Sequence, residues 1–392
     1  MMRYIHELDI WPKFAWDHEK IAALLGLVRN RQGRLLGRME TMGFALRTEA
    51  VLQTLSLDVI KSSEIEGEIL DAQQVRSSIA RKLGLDIAGL VSSDRHVDGV
   101  AEMMLDATQN FSKTLTRDRL LGWHASLFPT GYSGMRKIVA GAWRDDSRGP
   151  MQVVSGPAGR EKVHFEAPEA ARLDREMKDF LHWFNGSNAL STHGVTEIDP
   201  VLKAGIAHLW FVTLHPFEDG NGRIARAITD LQLARADGSA QRFYSMSAMI
   251  CKERKAYYSV LEATQKNTYG KDAGSGSARP TGINITAWLE WFLICLNQAL
   301  DSTETTLAAV FRKARFWELH PAQSLNERQR MMIDKVFEGF EGKLTSSKWA
   351  QIAKCSQDTA LRDILDLVKK GILVQDSAGG RSTNYLLKDL SE

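Results

Sequence analysis

The sequence predicts a mainly α protein, and three observations carry that expectation. Apolar residues recur at helical spacing, with recognisable caps, through most of the 392 residues. Alternating, β-prone stretches are few and gather in one hairpin, between Met151 and Phe165. The last seventy or so residues read as three helices followed by a two-stranded ribbon, the pattern of a winged helix-turn-helix.

The elements follow in order. Trp11, Pro12, Phe14 and Trp16 form an aromatic opening whose rings are expected to pack on the core. A helix is expected from about Asp17 to Met42. Leu52, Leu55 and Val59 define the apolar face of the next, which covers about 46–67 and ends near Gly67. Asp71 and Gln74 have the spacing of a capping box for a helix to Leu83, with Gly84 just past its end. Two further helices are expected over Gly99–Lys113 and Asp118–Phe128; His124 in the second, like the later His208, reads as a core residue. Met151–Ser155 and Val163–Phe165 flank the turn residues Gly156–Gly159 as a hairpin. Asp199 and Pro200 are an N-cap and first helical residue, the apolar run Val201–Leu214 continues that helix, and Pro216 stops it, so His215 falls at a helix end. Gly220, Asn221 and Gly222 make a turn, and helical spacing resumes from Arg223 to Asp237. Tyr269–Gly282 is polar and glycine-rich, a loop or linker. A long helical pattern runs from Ile285 to about Trp317, closed by Pro321, before helices near Asn326–Phe337, Ser346–Ala353 and Ser356–Lys370. Ile372–Gln375, a turn at Gly379 and Gly380, and Thr383–Leu387 complete the ribbon. The organisation is then a helical N-terminal region (1–98), a core (99–268), a linker with a long helix (269–322) and the winged-helix module (323–392).

Composition narrows the class of partner. Fifty Lys and Arg stand against 48 Asp and Glu, so bulk charge favours neither nucleic acid nor a membrane. Three scattered cysteines, Cys251, Cys295 and Cys355, argue against a disulfide framework or zinc site and for a reducing compartment, with the cytoplasm as the default. The start of the chain lacks a signal-peptide core, and no apolar run has the length of a membrane span. From Gln323 to the end, 11 basic residues face 10 acidic ones. That balance lacks the footprint of a DNA reader and favours protein contact or dimerisation for the module.

The chemistry concentrates in His215–Arg226, H-P-F-E-D-G-N-G-R-I-A-R. A helix opening on a glycine-rich turn presents free N–H groups and a positive dipole end, which suit phosphate. Gly220, Gly222 and Ala225 match G-x-G-x-x-G/A, but that dinucleotide motif needs a preceding strand and here a helix precedes. No G-x-x-x-x-G-K-[ST] occurs. The stretch instead resembles the Fic family signature H-x-F-x-[DE]-G-N-G-R-x-x-R, with every fixed letter present. The aromatic opening with G-R-L-L-G-R-M at Gly33–Met39 is similar to the region preceding the Fic core in one bacterial subgroup.

That resemblance implies a Fic-type helical core with a hairpin flap, and a protein adenylyltransferase that moves AMP from ATP to a side-chain hydroxyl. His215 would be the general base, which suits an imidazole. Asp219 would hold Mg²⁺. Asn221 and the backbone of Gly220 and Gly222 would cradle the phosphates, with Arg223 and Arg226 gripping the β- and γ-phosphates. Ser62, Glu66 and Gly67 match the family's inhibitory pattern [ST]-x-x-x-E-[GN]. A glutamate in a last helical turn meets the negative end of the dipole and needs a cation; Arg226 is the expected partner, in which case the γ-phosphate is excluded. By the same resemblance Val153, Val154, Ser155 and Gly156 face the nucleotide from the flap, Arg144 precedes it, and target segments add to its edge. Tyr257, Tyr258 and Gln265 correspond to a segment on the adenine side, although Gln265 stands where some relatives have asparagine and the tyrosines also suit a core. The expected partners are a protein carrying an acceptor hydroxyl, with self-modification and a homodimer left open. Two other readings remain: a DNA-binding, nucleotide-sensing regulator, and removal of AMP by the same site.

Overall fold

The computed structural model describes residues 4–85, 90–147, 149–156, 160, 162–186, 198–266, 282–320, 324–337, 342–376 and 383–388. The expected linker at 269–281, Pro321, the turn residues 157–159 and the glycines 379 and 380 lie outside them. The protein is mainly α, with strands only in short pairs. Two compact units are present, Met1–Glu40 with Val51–Thr303, and Thr41–Ala50 with Glu304–Glu392.

In the first unit a two-residue strand, β1 (Phe14–Ala15), leads to α1 (His18–Glu40), and α2 (Phe44–Ile65), which belongs to this unit from Val51, delivers the chain to a turn at Gly67. α3 (Ala72–Lys82) begins on Asp71, whose carboxylate accepts from the Gln74 N–H at 2.8 Å. The box is not reciprocal: Gln74 Oε1 accepts from the Asp94 N–H at 3.0 Å, because the tertiary partner outcompetes the local one. α4 (Arg95–Gln109) therefore starts four residues earlier than Gly99, on an Asp94 N-cap bonded to Val97 N. α5 (Arg117–Leu127), the ribbon β2 (Tyr132–Ser133) with β3 (Arg136–Lys137), and the hairpin β4 (Gln152–Ser155) with β5 (Lys162–Glu166) follow. α6 (Leu173–Asn185) precedes two central helices, α7 (Pro200–Leu214) and α8 (Asn221–Asp237).

α7 is buried at every position from Val201 to Leu214, as a helix apolar on all faces must be. α6 packs Phe180 and Trp183 against Trp210 of α7, and the opening aromatics Trp11 and Phe14 meet Trp210 edge-on. α9 (Met246–Lys252), α10 (Arg254–Gln265), β6 (Ile283–Asn284), parallel to β1, and most of α11 (Thr286–Thr306) close this unit. The long pattern expected from Ile285 to Trp317 is two helices. α11 ends as the Ser302 and Thr303 hydroxyls turn back on the Ala299 carbonyl, and α12 (Ala308–Leu319) starts after Leu307.

The second unit holds α12, α13 (Glu327–Phe337), α14 (Ser346–Ile352), α15 (Gln357–Lys369) and the antiparallel pair β7 (Leu373–Gln375) with β8 (Tyr385–Leu387). Its core is built on Phe316, Met332, Trp349, Ile364 and Leu367. No helix among the described residues is long and apolar enough to cross a membrane.

Candidate active site

The site is assembled where α7 ends and α8 begins. His215 caps α7 in the left-handed region, φ 47°, its N–H still bonded to Phe211 O at 3.0 Å. Arg144 holds that exit in place: its own N–H donates to Pro216 O at 2.9 Å and its Nε to His215 O at 2.8 Å. Burial pushes the His215 imidazole down to about 4, so it is neutral and able to accept a proton near pH 7. The ring is half-buried and lines a cavity of about 730 Å³, shared with Glu66, Gly222, Tyr258 and the β4 strand.

Helix α8 begins at Asn221 rather than Arg223, with Gly220 as its cap at φ 78°. Asn221, expected to cradle phosphate, spends its side chain differently. Nδ2 donates to Phe217 O at 2.8 Å and Oδ1 accepts from Phe217 N at 3.0 Å, so the amide locks the turn and only its N–H remains to offer an anion. Asp219 accepts from Gly220 N at 2.6 Å and from the Ser133 hydroxyl. His124, fully buried as expected, stacks on Phe217 with ring centroids 4.1 Å apart and supports the same turn.

Both motif arginines are buried and each meets a carboxylate. Arg226 Nη2 donates to Glu66 Oε1 at 2.7 Å and to Ser62 O at 2.8 Å, while its Nε donates to Ser62 Oγ at 2.9 Å. Gly222 leaves room for this pair: a Cβ there would lie 2.1 Å from Glu66 Oε1. The Glu66 side chain stays 30% exposed, open to the cavity. Arg223 Nη1 donates to Glu68 Oε2 at 2.5 Å, and its guanidinium lies 5.2 Å above the Phe128 ring. Glu68 also meets His96 Nε2 at 3.1 Å. Burial would raise the Glu68 pKa, but the His96 hydrogen bond and the Arg223 charge outweigh it and hold the carboxyl below its usual range. Arg226 Nη1 and Arg223 Nε are buried without a hydrogen-bond partner among the described residues, donors left over for a ligand.

Other expected residues are dispersed around the cavity. Val153, Val154 and Ser155 line it from β4, and Gly156 follows them at φ 104°. Tyr258 is partly exposed on the wall. Tyr257 is buried with its hydroxyl 3.0 Å from His208 Nε2, which makes His208 and Tyr257 one packed, hydrogen-bonded unit. Gln265 is buried and donates to Thr213 Oγ1 at 3.2 Å. Sequence reasoning missed Glu68, His96 and Ser133. Glu68 stands two residues beyond Glu66, the one signal that could have drawn attention to it; the other two carry none.

The Fic/DOC family profile matches residues 114–233, which contain α7, the turn and most of α8. Residues 114–233 are a Fic domain. A second profile, a domain of unknown function (DUF4172), matches residues 4–85, the segment that delivers Glu66 and Glu68 to the Fic domain. The protein adenylyltransferase Fic of Drosophila virilis is 34% identical over 252 residues, 62% of this chain and 41% of that protein. The protein adenylyltransferase fic-1 of Caenorhabditis elegans is 41% identical over 61 residues, 16% of this chain and 11% of its own. The chain thus spans well under two thirds of the length of these relatives. A crystal structure of a Fic family protein from Desulfovibrio desulfuricans G20 matches with a TM-score of 0.55 at 20% identity, covering 95% of this chain and 97% of that one. At that identity the likeness shows a shared fold.

Proposed function

We propose that this chain is a protein adenylyltransferase held in a blocked state, transferring AMP from ATP to a side-chain hydroxyl of a target protein. The carrying observation is the pair of buried guanidinium groups on α8, the helix that opens six residues past a neutral imidazole, each with an N–H that has no partner among the described residues and each met by a carboxylate. Two arginines beside a helix N-terminus suit a polyphosphate tail, and His215 at about 4 is a base in its active protonation state.

In the reaction His215 takes the proton of the target hydroxyl, the oxygen attacks the α-phosphorus, and pyrophosphate leaves along the arginines. Asp219 presents a carboxylate at the same turn, and no group of three or more His, Cys, Asp or Glu among the described residues could hold a metal alone. That donor set fits Mg²⁺, which uses one or two carboxylates and takes its other oxygens from phosphates and water. Bound there through Asp219, it would neutralise phosphate charge. The β4 edge is suited to an extended target segment, docked through its backbone.

Glu66 on Arg226 keeps the γ-phosphate out, and Glu68 does the same for Arg223. A bias of about 3 kcal/mol towards this state leaves on the order of 1% of molecules competent. Incubation with labelled ATP and Mg²⁺ tests the reading. Labelling of lysate proteins is expected to rise in Glu66→Gly and to vanish when His215→Ala is added; equal signal in all forms would remove the catalytic role assigned to His215.

Within the second unit, α13, α14, α15 and the β7–β8 ribbon are read as a winged helix serving protein contact rather than DNA, since the charges from Gln323 onward nearly cancel. A cytoplasmic site of action fits the three free cysteines.

A further inference from the structure

The β4–β5 hairpin carries a feature that target docking does not use. The ladder pairs Val153 with Phe165 and Val154 with Val163, so the register shifts and His164 is left as the extra residue of a bulge. Its ring then joins two partners. Ser155 Oγ lies 2.6 Å from Nε2, and Glu262 Oε2, from α10, lies 2.8 Å from Nδ1. Glu262 is itself anchored by Lys266 at 2.5 Å. Burial of Glu262 would raise its pKa, but the hydrogen bonds from Lys266 and His164 outweigh it, so it stays a carboxylate. With a carboxylate at Nδ1 the neutral imidazole carries its proton there, and in that form the Nε2 lone pair accepts from the serine. Hydroxyl, imidazole and carboxylate in line are the arrangement that activates a nucleophile. All three residues line the cavity that also contains His215 and Glu66, and Ser155 is exposed.

We propose that Ser155 is an acceptor in this protein's own active-site wall, adenylylated with His164 as its base and Glu262 as the positioning residue. The inference rests on the transferase reading above. His164 Nε2 takes the hydroxyl proton, the Ser155 oxygen forms a bond to the α-phosphorus of ATP, and the bond from that phosphorus to the bridging oxygen breaks. Pyrophosphate departs with the electron pair, and His164 passes the proton to solvent. The product is an AMP ester on the hairpin, lying in the cavity that a second ATP would need, so one turnover would close the site.

The test uses the full chain carrying Glu66→Gly, incubated with ATP and Mg²⁺ and mapped by tandem mass spectrometry. AMP on Ser155 is expected, with its rate lowered on the order of 100-fold by His164→Gln. Glu262→Gln is expected to lower the labelling rate at saturating ATP while leaving the half-saturating ATP concentration within about twofold, a split that loss of nucleotide binding would not give. AMP found only on other residues overturns this inference and leaves the transferase reading standing. Labelling of Ser155 that is unaffected by His164→Gln overturns the role of the triad. The absence of any AMP, on this chain or on added lysate proteins, overturns both.

Discussion

His215 shows how a single backbone angle prepares chemistry. A non-glycine residue at φ 47° is uncommon, and it holds here because Arg144 fixes the carbonyls of His215 and Pro216 while Asn221 clamps Phe217. The ring is thereby turned into the cavity with its neighbours buried, and burial lowers its proton affinity to about 4. A general base must be unprotonated, so the rate should fall as pH drops through that value. For Glu66→Gly, the acid limb of kcat/KM is expected well below the 6.5 of an ordinary histidine, nearer pH 4 to 5 where the half-open cavity moderates the shift. A limb at 6.5 in a pH–rate profile would show that His215 is not the titrating base. The His215→Ala variant should lose at least ~100-fold in transfer at neutral pH. This residue was legible in the sequence because every fixed letter around it matched. Asn221 was legible as important but not in its role: a letter in a phosphate motif does not reveal that its amide is consumed in shaping the turn.

The element on which the proposed block rests is the end of α2. Gly67 at φ 85° reverses the chain so that Glu66 and Glu68 both face α8, one reaching Arg226 and the other Arg223. The first pair could be read from a short motif and the dipole argument; the second could not, because a glutamate after a helix end is ordinarily solvated and its partner lies 155 residues away. If each carboxylate withholds one arginine, the two releases should reinforce each other. Glu66→Gly is expected to raise ATP-dependent labelling on the order of 100-fold, and adding Glu68→Gln should tighten ATP binding a further several-fold, read by calorimetry on the single and double variants. No gain in the double variant would mean that phosphate displaces Glu68 unaided. The same scale explains the misplaced boundaries. α4 starts at Arg95 because Asp94 and Gln74 find each other across the α3–α4 connection, and the long C-terminal helix breaks at Leu307 where hydroxyls compete for the helix carbonyls, effects that apolar spacing does not encode.

At the scale of the molecule, the helical class and the central helix pair were visible in apolar periodicity, which reports burial directly. The buried polar network was not visible, since its members are far apart in sequence. Arg242 is buried between Asp230 at 2.8 Å and Asp237 at 3.0 Å, and Asp58, 2.5 Å from Ser245 Oγ, lies beside them. Burial, then the neighbouring Asp58, pushes Asp230 well above the usual carboxylate range, so the arginine is what makes this cluster tolerable. Arg242→Met removes that charge and leaves carboxylates buried against one another, a change expected to cost about 3–5 kcal/mol, measured by urea unfolding at pH 7.5.

Acid should act on the Fic domain through its buried histidines. His208 is fully enclosed, with Nδ1 2.9 Å from Thr229 Oγ1 and Nε2 3.0 Å from the Tyr257 hydroxyl, and burial lowers it to about 3. His124, equally buried, falls to about 4. The folded state thus keeps both neutral while the unfolded chain protonates them below about 6.5. Between pH 6.5 and those lowered values the unfolded state binds more protons, so the stability these residues contribute is complete above about 6.5 and is lost as pH falls, at roughly 1.4 kcal/mol per group per unit. Asp230, raised in the fold, works in the opposite direction over part of the same range, which makes the net slope a poor test. The difference between variants is decisive. In urea titrations at pH 7.5 and 5.0, His208→Gln should reduce the loss of stability on acidification by about 2 kcal/mol relative to the unaltered chain, whatever its own effect on stability at pH 7.5. An unchanged pH dependence would mean that His208 reaches water in the folded state, and that the seam between α7, α8 and α10 is more open than the packing around Tyr257 implies.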